Sequence, residues 1–467
     1  MDTNEKTRIK VVMLPWLAYG HISPYLELAK KLSKRNFYIY FCSTSINLSS
    51  IRKKLAVDDH EAIQLIEFQL TSQTELPPHH HTTKGLPPHL IPDLIKALGM
   101  SGPNVINILN TVNPDLIIYD VFQLWVPAFA ASLQIPAVHF QVVGAISTAA
   151  AYRFKVDPSI PVPCSRIFLD DTNIRKSPDY DSSSAENSGI LDLTFGTAIQ
   201  SSDIILIKSS REFDEKNIEY YSLLMDKKIV PTGPLVQVNT SVAVHTENEK
   251  DDIMEWLSKK EESSTVYVSF GSECYLSEPR IRELAHGLEL SNVNFIWVIS
   301  FPEGDEEMCN TCIEDVLPEG FLDRVKDRGV IVSWAPQERI LGHGGLGGFV
   351  SHCGWGSVVE GMSYGVPIIA MPAQYEQPLH AMFVEEVGVG VEVLKDESGE
   401  FRRDEIAKAI KKVVVEKNGE GVRKKAREMG KAIKKRGEEE VECVVEELTK
   451  LCKKYQKVAA GQGKRCP

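Results

Sequence analysis

The sequence predicts an α/β protein of two Rossmann-like domains, each a parallel sheet with helices on both faces. Short β-branched and aromatic runs alternate with amphipathic stretches, which is the pattern of repeated βα units. The alternation stops at a polar segment near residue 240 and then starts again. The chain has 467 residues, more than one hydrophobic core usually supports, so two domains of roughly 200 residues each are expected.

Residues 9–14 read as the first strand, 24–33 as a helix and 37–42 as the next strand. Residues 116–119 form an apolar run that ends at Asp120; a helix-like stretch and a strand over 137–141 follow. Residues 170–188 are rich in Asp, Ser, Asn and Pro and read as a surface loop. The first domain is placed at 1–236 and a polar linker at 237–252. The second domain, 253–440, opens with a strand at 265–270, a helix at 278–290 and a strand at 294–299. From Arg402 the chain is helical and charged, and its charges read as solvated helix faces, with a terminal helix and polar tail at 441–467 that packs back on the first domain.

Bulk properties exclude several classes. Hydrophobic residues at 43% and charged residues at 25% rule out a disordered chain. A net charge of −12 argues against a nucleic acid as partner, because that affinity comes mainly from Lys and Arg. The start of the chain is polar and its first apolar run is too short for a signal or a membrane span, so a cytoplasmic location is expected. Nine cysteines spread along the chain fit reduced thiols. The Cys309/Cys312 pair has no second pair or nearby His to complete a zinc site. His79, His80, His81 and His89 flank a Leu-Pro-Pro run and read as a polar loop, so no metal is expected.

In open α/β sheets ligands sit beyond the C-terminal ends of strands, where helix N-termini offer N–H groups to anions. Two places in the second half have this form: Gly271 and Ser272 after one strand, and the run from His352 to Ser357 after another. They could hold a diphosphate without a metal, or the glycines could simply turn the chain. Gly342, Gly344 and Gly347 match the G-x-G-x-x-G fingerprint of dinucleotide-binding proteins. That motif needs a strand before it and a helix after it, whereas here a helix precedes and a strand follows. In the first half, His21 follows a strand and a glycine, and Asp120 ends another strand of the same sheet. An imidazole there could be structural, or could act as a base oriented by the carboxylate.

Residues 334–377, WAPQERILGHGGLGGFVSHCGWGSVVEGMSYGVPIIAMPAQYEQ, resemble the 44-residue signature box of plant UDP-glycosyltransferases end to end. PWLAYGHISPYLELAKKL resembles that family's catalytic-His segment and DLIIYD its partner-Asp segment, so the likeness covers nearly the whole chain. The resemblance implies the GT-B fold, two Rossmann-like domains facing across a cleft, and an inverting mechanism with no metal and no cofactor beyond the UDP-sugar. It implies His21 as general base and Asp120 as its orienting partner. Trp334 would stack on the uracil, with Ala335 and Gln337 beside it, and Glu360 would bind the ribose. Gly271, Ser272, His352, Trp355, Gly356 and Ser357 would hold the diphosphate, and Glu376 and Gln377 the sugar. By analogy, Trp16, Phe122, Gln123, Trp125 and Val143 would line the acceptor site.

Gln377 goes with glucose as donor in similar enzymes, although the box also occurs in users of xylose, rhamnose and glucuronic acid. Most members have Asn where this chain has Gly356, and the Gly variant resembles the branch-forming subgroup that adds sugar to sugar. The expected activity is therefore glucose transfer from UDP-glucose to a glycoside of a small-molecule natural product, by a monomer. The alternatives are transfer to an aglycone hydroxyl, nucleotide-sugar binding without catalysis, or a dinucleotide-dependent oxidoreductase.

Overall fold

The computed structural model describes residues 8–71, 76–157, 159, 163, 185–236, 247–271, 274–301, 313–374 and 376–462. The chain divides into two compact units. One holds the described residues of Met1–Pro163, Arg175–Ala243 and Arg436–Pro467; the other holds those of Val244–Lys435.

The first unit has a seven-stranded parallel sheet in the order β3-β2-β1-β4-β5-β6-β7. Its strands are Ile9–Leu14 (β1), Phe37–Ser43 (β2), Ile63–Glu67 (β3), Leu116–Tyr119 (β4), Ala137–Gln141 (β5), Ile204–Ile207 (β6) and Lys228–Pro231 (β7). Central β4 and β6 are continuous apolar runs because helices cover both faces. Edge strand β3 carries Gln64 and Glu67, polar side chains that discourage pairing with another chain. Strand order reverses between β1 and β4, whose ends are level: Leu14 lies beside Tyr119.

The second unit has a six-stranded parallel sheet in the order β10-β9-β8-β11-β12-β13. These are Thr265–Ser269 (β8), Asn294–Val298 (β9), Gly329–Val332 (β10), Leu346–Ser351 (β11), Ile368–Ala370 (β12) and Gly390–Glu392 (β13). Its reversal falls between β8 and β11, where Ser269 lies beside Ser351.

Several sequence expectations shift. The first helix is Tyr19–Ser33, so His21 stands in its first turn and Pro24 lies inside it. Residues 247–252, read as linker, open the helix Glu247–Ser258, whose Ile253 and Leu257 are buried. The last residues of the expected 170–188 loop belong to the helix Ala185–Ile199; the rest lie outside the described residues, as do Ser272, Cys309 and Cys312.

The tail joins the first unit at Arg436, five residues before the expected 441, within the helix Glu420–Gln462. Glu438 already pairs with Lys31 and Arg35 there. Glu440, read as solvated, is buried and accepts from the Arg211 N–H and the Ser210 hydroxyl. Val444, Leu448 and Leu451 of the same helix lie in the core that contains Val11 and Phe41. The glycine run leads from the helix Gln337–Leu341 into β11, and Gly347 sits inside β11, where a Cβ would come within 2.1 Å of the Ser263 carbonyl oxygen, so close backbone approach explains that glycine. No described helix is long and apolar enough to cross a membrane.

Candidate active site

At the reversal of the first sheet, Asp120 follows β4 and is fully buried. Its Oδ2 accepts from the Trp16 N–H at 2.9 Å and lies 2.8 Å from His21 Nδ1; its Oδ1 accepts from the Val121 N–H at 2.8 Å. Three nitrogens converge on one carboxyl group, two on Oδ2 and one on Oδ1. Because a carboxylate only accepts, His21 Nδ1 carries the hydrogen, and in the neutral ring Nε2 holds the lone pair. The His21 side chain keeps 21% of its surface exposed against 1% for Asp120, so the imidazole reaches solvent while the carboxylate does not.

The turn around Asp120 is braced by residues expected to line the acceptor site. Gln123 is buried and its Oε1 accepts from the Asp120 N–H at 3.3 Å. Trp16 meets Phe122 edge-on at 5.0 Å, and Phe122 has φ 67°. Trp125 instead packs against Gly102, where a Cβ would lie 3.3 Å from its ring. Val143 stands half-buried between β5 and the helix Ala145–Val156.

At the reversal of the second sheet, Gly271 follows β8 with φ 79° and His352 follows β11. They touch: a Cβ on Gly271 would lie 2.9 Å from His352 Cε1. A Cβ on Gly354 would lie 2.5 Å from His352 Nε2, so the ring occupies the space both glycines leave. Burial pushes the His352 pKa down to about 4, which keeps the imidazole neutral near pH 7. Its Nδ1 is enclosed without a hydrogen-bond partner among the described residues.

Next comes the helix Trp355–Tyr364, capped by Gly354, with no acidic residue in its first turn. Its first i→i−4 bond runs from Val358 N–H to Gly354 O, so the N–H groups of Trp355, Gly356 and Ser357 have no acceptor within the helix. Aligned peptide dipoles and projecting N–H groups make such an end a site for phosphate.

Other expected donor residues gather in the same unit. Trp334 is 40% exposed, and Ala335 beside it is buried. Gln337 Nε2 donates to Glu360 Oε2 at 2.6 Å, which orients that carboxylate. Gln377 is buried; its Oε1 accepts from the N–H groups of Ala373 and Gln374 at 2.9 and 3.0 Å, which directs its NH2 the opposite way. Glu376 is the N-cap of the helix Gln377–Glu386. Sequence reading missed Ser351 and His380 as supports of the Cys353 backbone; Ser351 makes a local Ser-turn contact two residues away, which the sequence could have signalled, whereas His380 lies far along the chain with no local pattern.

The chain matches known proteins over nearly its whole length. A family model described as UDP-glucoronosyl and UDP-glucosyl transferase matches residues 224–424, and a glycosyltransferase N-terminal domain model matches residues 7–158. UDP-glucosyltransferase 29 of Panax ginseng is 48% identical, covering 97% of this chain and 98% of that protein. The beta-D-glucosyl crocetin beta-1,6-glucosyltransferase of Gardenia jasminoides is 44% identical, covering 94% and 98%. Among solved structures, a Glycyrrhiza uralensis glycosyltransferase complexed with glycyrrhetinic acid 3-O-monoglucuronide superposes with a TM-score of 0.81 at 24% identity, over 98% of this chain and 99% of that one. That likeness shows the fold.

Proposed function

The chain belongs to the UDP-glycosyltransferase family, and from that premise we propose that it moves glucose from UDP-glucose to a hydroxyl of a sugar already attached to a small-molecule natural product. The observation that carries the catalytic part is the 2.8 Å contact between His21 Nδ1 and the fully buried Asp120. His21 Nε2 takes the acceptor hydroxyl proton as that oxygen attacks the anomeric carbon. The bond from that carbon to the β-phosphate oxygen breaks, its electron pair leaves with UDP, and the α-linked sugar becomes β-linked. Asp120 holds the imidazole and stabilises the imidazolium that forms, as in acid–base triads.

Negative charge grows on the leaving diphosphate. The N–H groups at the start of the Trp355 helix, with His352, supply donors there and support transfer without a divalent cation. Activity that survives EDTA is expected, and loss restored by one added metal would overturn this part.

Glucose as the donor is supported by Gln377 and by the glucosyltransferases among the relatives. A glycoside acceptor is supported by Gly356 and by the Gardenia relative, whose name specifies a glucosylated acceptor. We place the enzyme in the cytoplasm and read it as a monomer. The test is a panel of matched natural-product aglycones and their monoglucosides with UDP-glucose, with linkage read by NMR. Product from the glucosides alone is expected; product from the aglycones alone would make this an aglycone glucosyltransferase.

A further inference from the structure

Between β11 and the Trp355 helix lies Cys353, fully buried with φ 65°. This left-handed conformation is strained for a residue with a Cβ. Side chains hold both of its backbone groups. Its N–H donates to Ser351 Oγ at 3.1 Å, and its C=O lies 3.0 Å from His380 Nδ1.

A carbonyl oxygen only accepts, so His380 Nδ1 carries the hydrogen. The ring is fully buried, and burial pushes its pKa down to about 3, so it stays neutral and in that tautomer. The same imidazole lies against the indole of Trp355, ring centres 4.9 Å apart, and Trp355 is the first residue of its helix. His380 thus touches the chain on either side of Gly354, the residue that the His352 ring covers. It stands one turn after Gln377 in a separate helix, so it is anchored independently of the turn it holds.

We propose that His380 is a positioning residue for the donor diphosphate: its Nδ1–H fixes the Cys353 carbonyl in the left-handed turn and so aims His352 and the first N–H groups of the Trp355 helix. This rests on the diphosphate reading of that helix end. His380 acts through Cys353 and Trp355.

The experiment compares UDP and uridine binding by calorimetry in the wild type, His380→Leu, His380→Asn and Ser351→Ala. Uridine lacks the diphosphate, so the UDP-to-uridine affinity ratio isolates that part of the site. If wild type binds both equally, the diphosphate reading fails. If wild type prefers UDP, the present proposal predicts a ratio lowered about fivefold to tenfold in His380→Leu, the range for losing one buried hydrogen bond. Uridine affinity should be unchanged, and His380→Asn, whose NH2 can replace the Nδ1–H, should recover most of the ratio. A folded His380→Leu with the wild-type ratio, or with equal losses for both ligands, would overturn the proposal. Should His380→Leu not fold, Ser351→Ala carries the test: a lowered ratio supports the proposal and an unchanged one overturns it.

Discussion

Asp120 Oδ2 lies 2.8 Å from His21 Nδ1 and 2.9 Å from the backbone nitrogen of Trp16, so one carboxylate oxygen fixes both the imidazole and the loop that leads to it. Exchanging it for an amide puts a donor beside a donor, or keeps the oxygen without its charge. Asp120→Asn should lower kcat by roughly 10²- to 10⁴-fold, the range for a misplaced base. UDP affinity by calorimetry should stay close to wild type, because the residues proposed to hold the nucleotide belong to the other unit.

Gln377 has two separable parts. Its Oε1 braces Ala373 and Gln374, while its NH2 is the group proposed to meet the donor sugar. Gln377→Glu keeps the accepting oxygen and removes the donor. If the sugar contact matters, Gln377→Glu should lose kcat/KM for UDP-glucose as severely as Gln377→Ala. Near-normal activity in the Glu variant would leave Gln377 only as a brace.

Gly271→Ala should act through His352. The substitution meets φ 79° and places a Cβ 2.9 Å from Cε1 of that ring. Pushing the ring off its rotamer costs on the order of 1 kcal/mol, about fivefold in affinity. The KM for UDP-glucose should rise by at least that factor while the KM for the acceptor stays constant; equal rises in both would point to general damage.

Burial lowers His352 to about 4 and His380 to about 3, both below the ordinary 6.5. Between pH 6.5 and these values the unfolded chain binds protons that the folded chain does not, so stability falls as pH falls through this window. The His352 contribution stops growing below about pH 4. Urea midpoints at pH 7 and pH 5 should therefore differ less in His352→Asn than in wild type. Equal differences would show that His352 is not held neutral.

Much of this was legible in the sequence, and the misses have physical causes. Strands β1, β4 and β5 were read with their observed bounds, because buried parallel strands are uninterrupted apolar runs. Asp120 and His352 were legible as polar residues that end such runs. Proline favours a first turn, so the sequence points to a helix start at Pro24; the helix instead begins at Tyr19 and forgoes one backbone bond at Pro24. The polar run 247–252 hid a helix whose apolar face lies mostly in the residues that follow it. Glu440 looked like any charge in a charged helix, because its partners at 210 and 211 are far away in sequence. His380 was illegible as a support for the same reason; Gln123 is close to Asp120 in sequence, but the backbone N–H it holds is presented only by the folded turn.

The most direct test of the central claim is His21→Ala, assayed for glycoside product with UDP-glucose and a natural-product monoglucoside while UDP binding is measured on the same sample. With the base removed and the donor box intact, product formation should fall to background while the Kd for UDP stays at its wild-type value. Turnover near the wild-type rate in that variant would contradict the account.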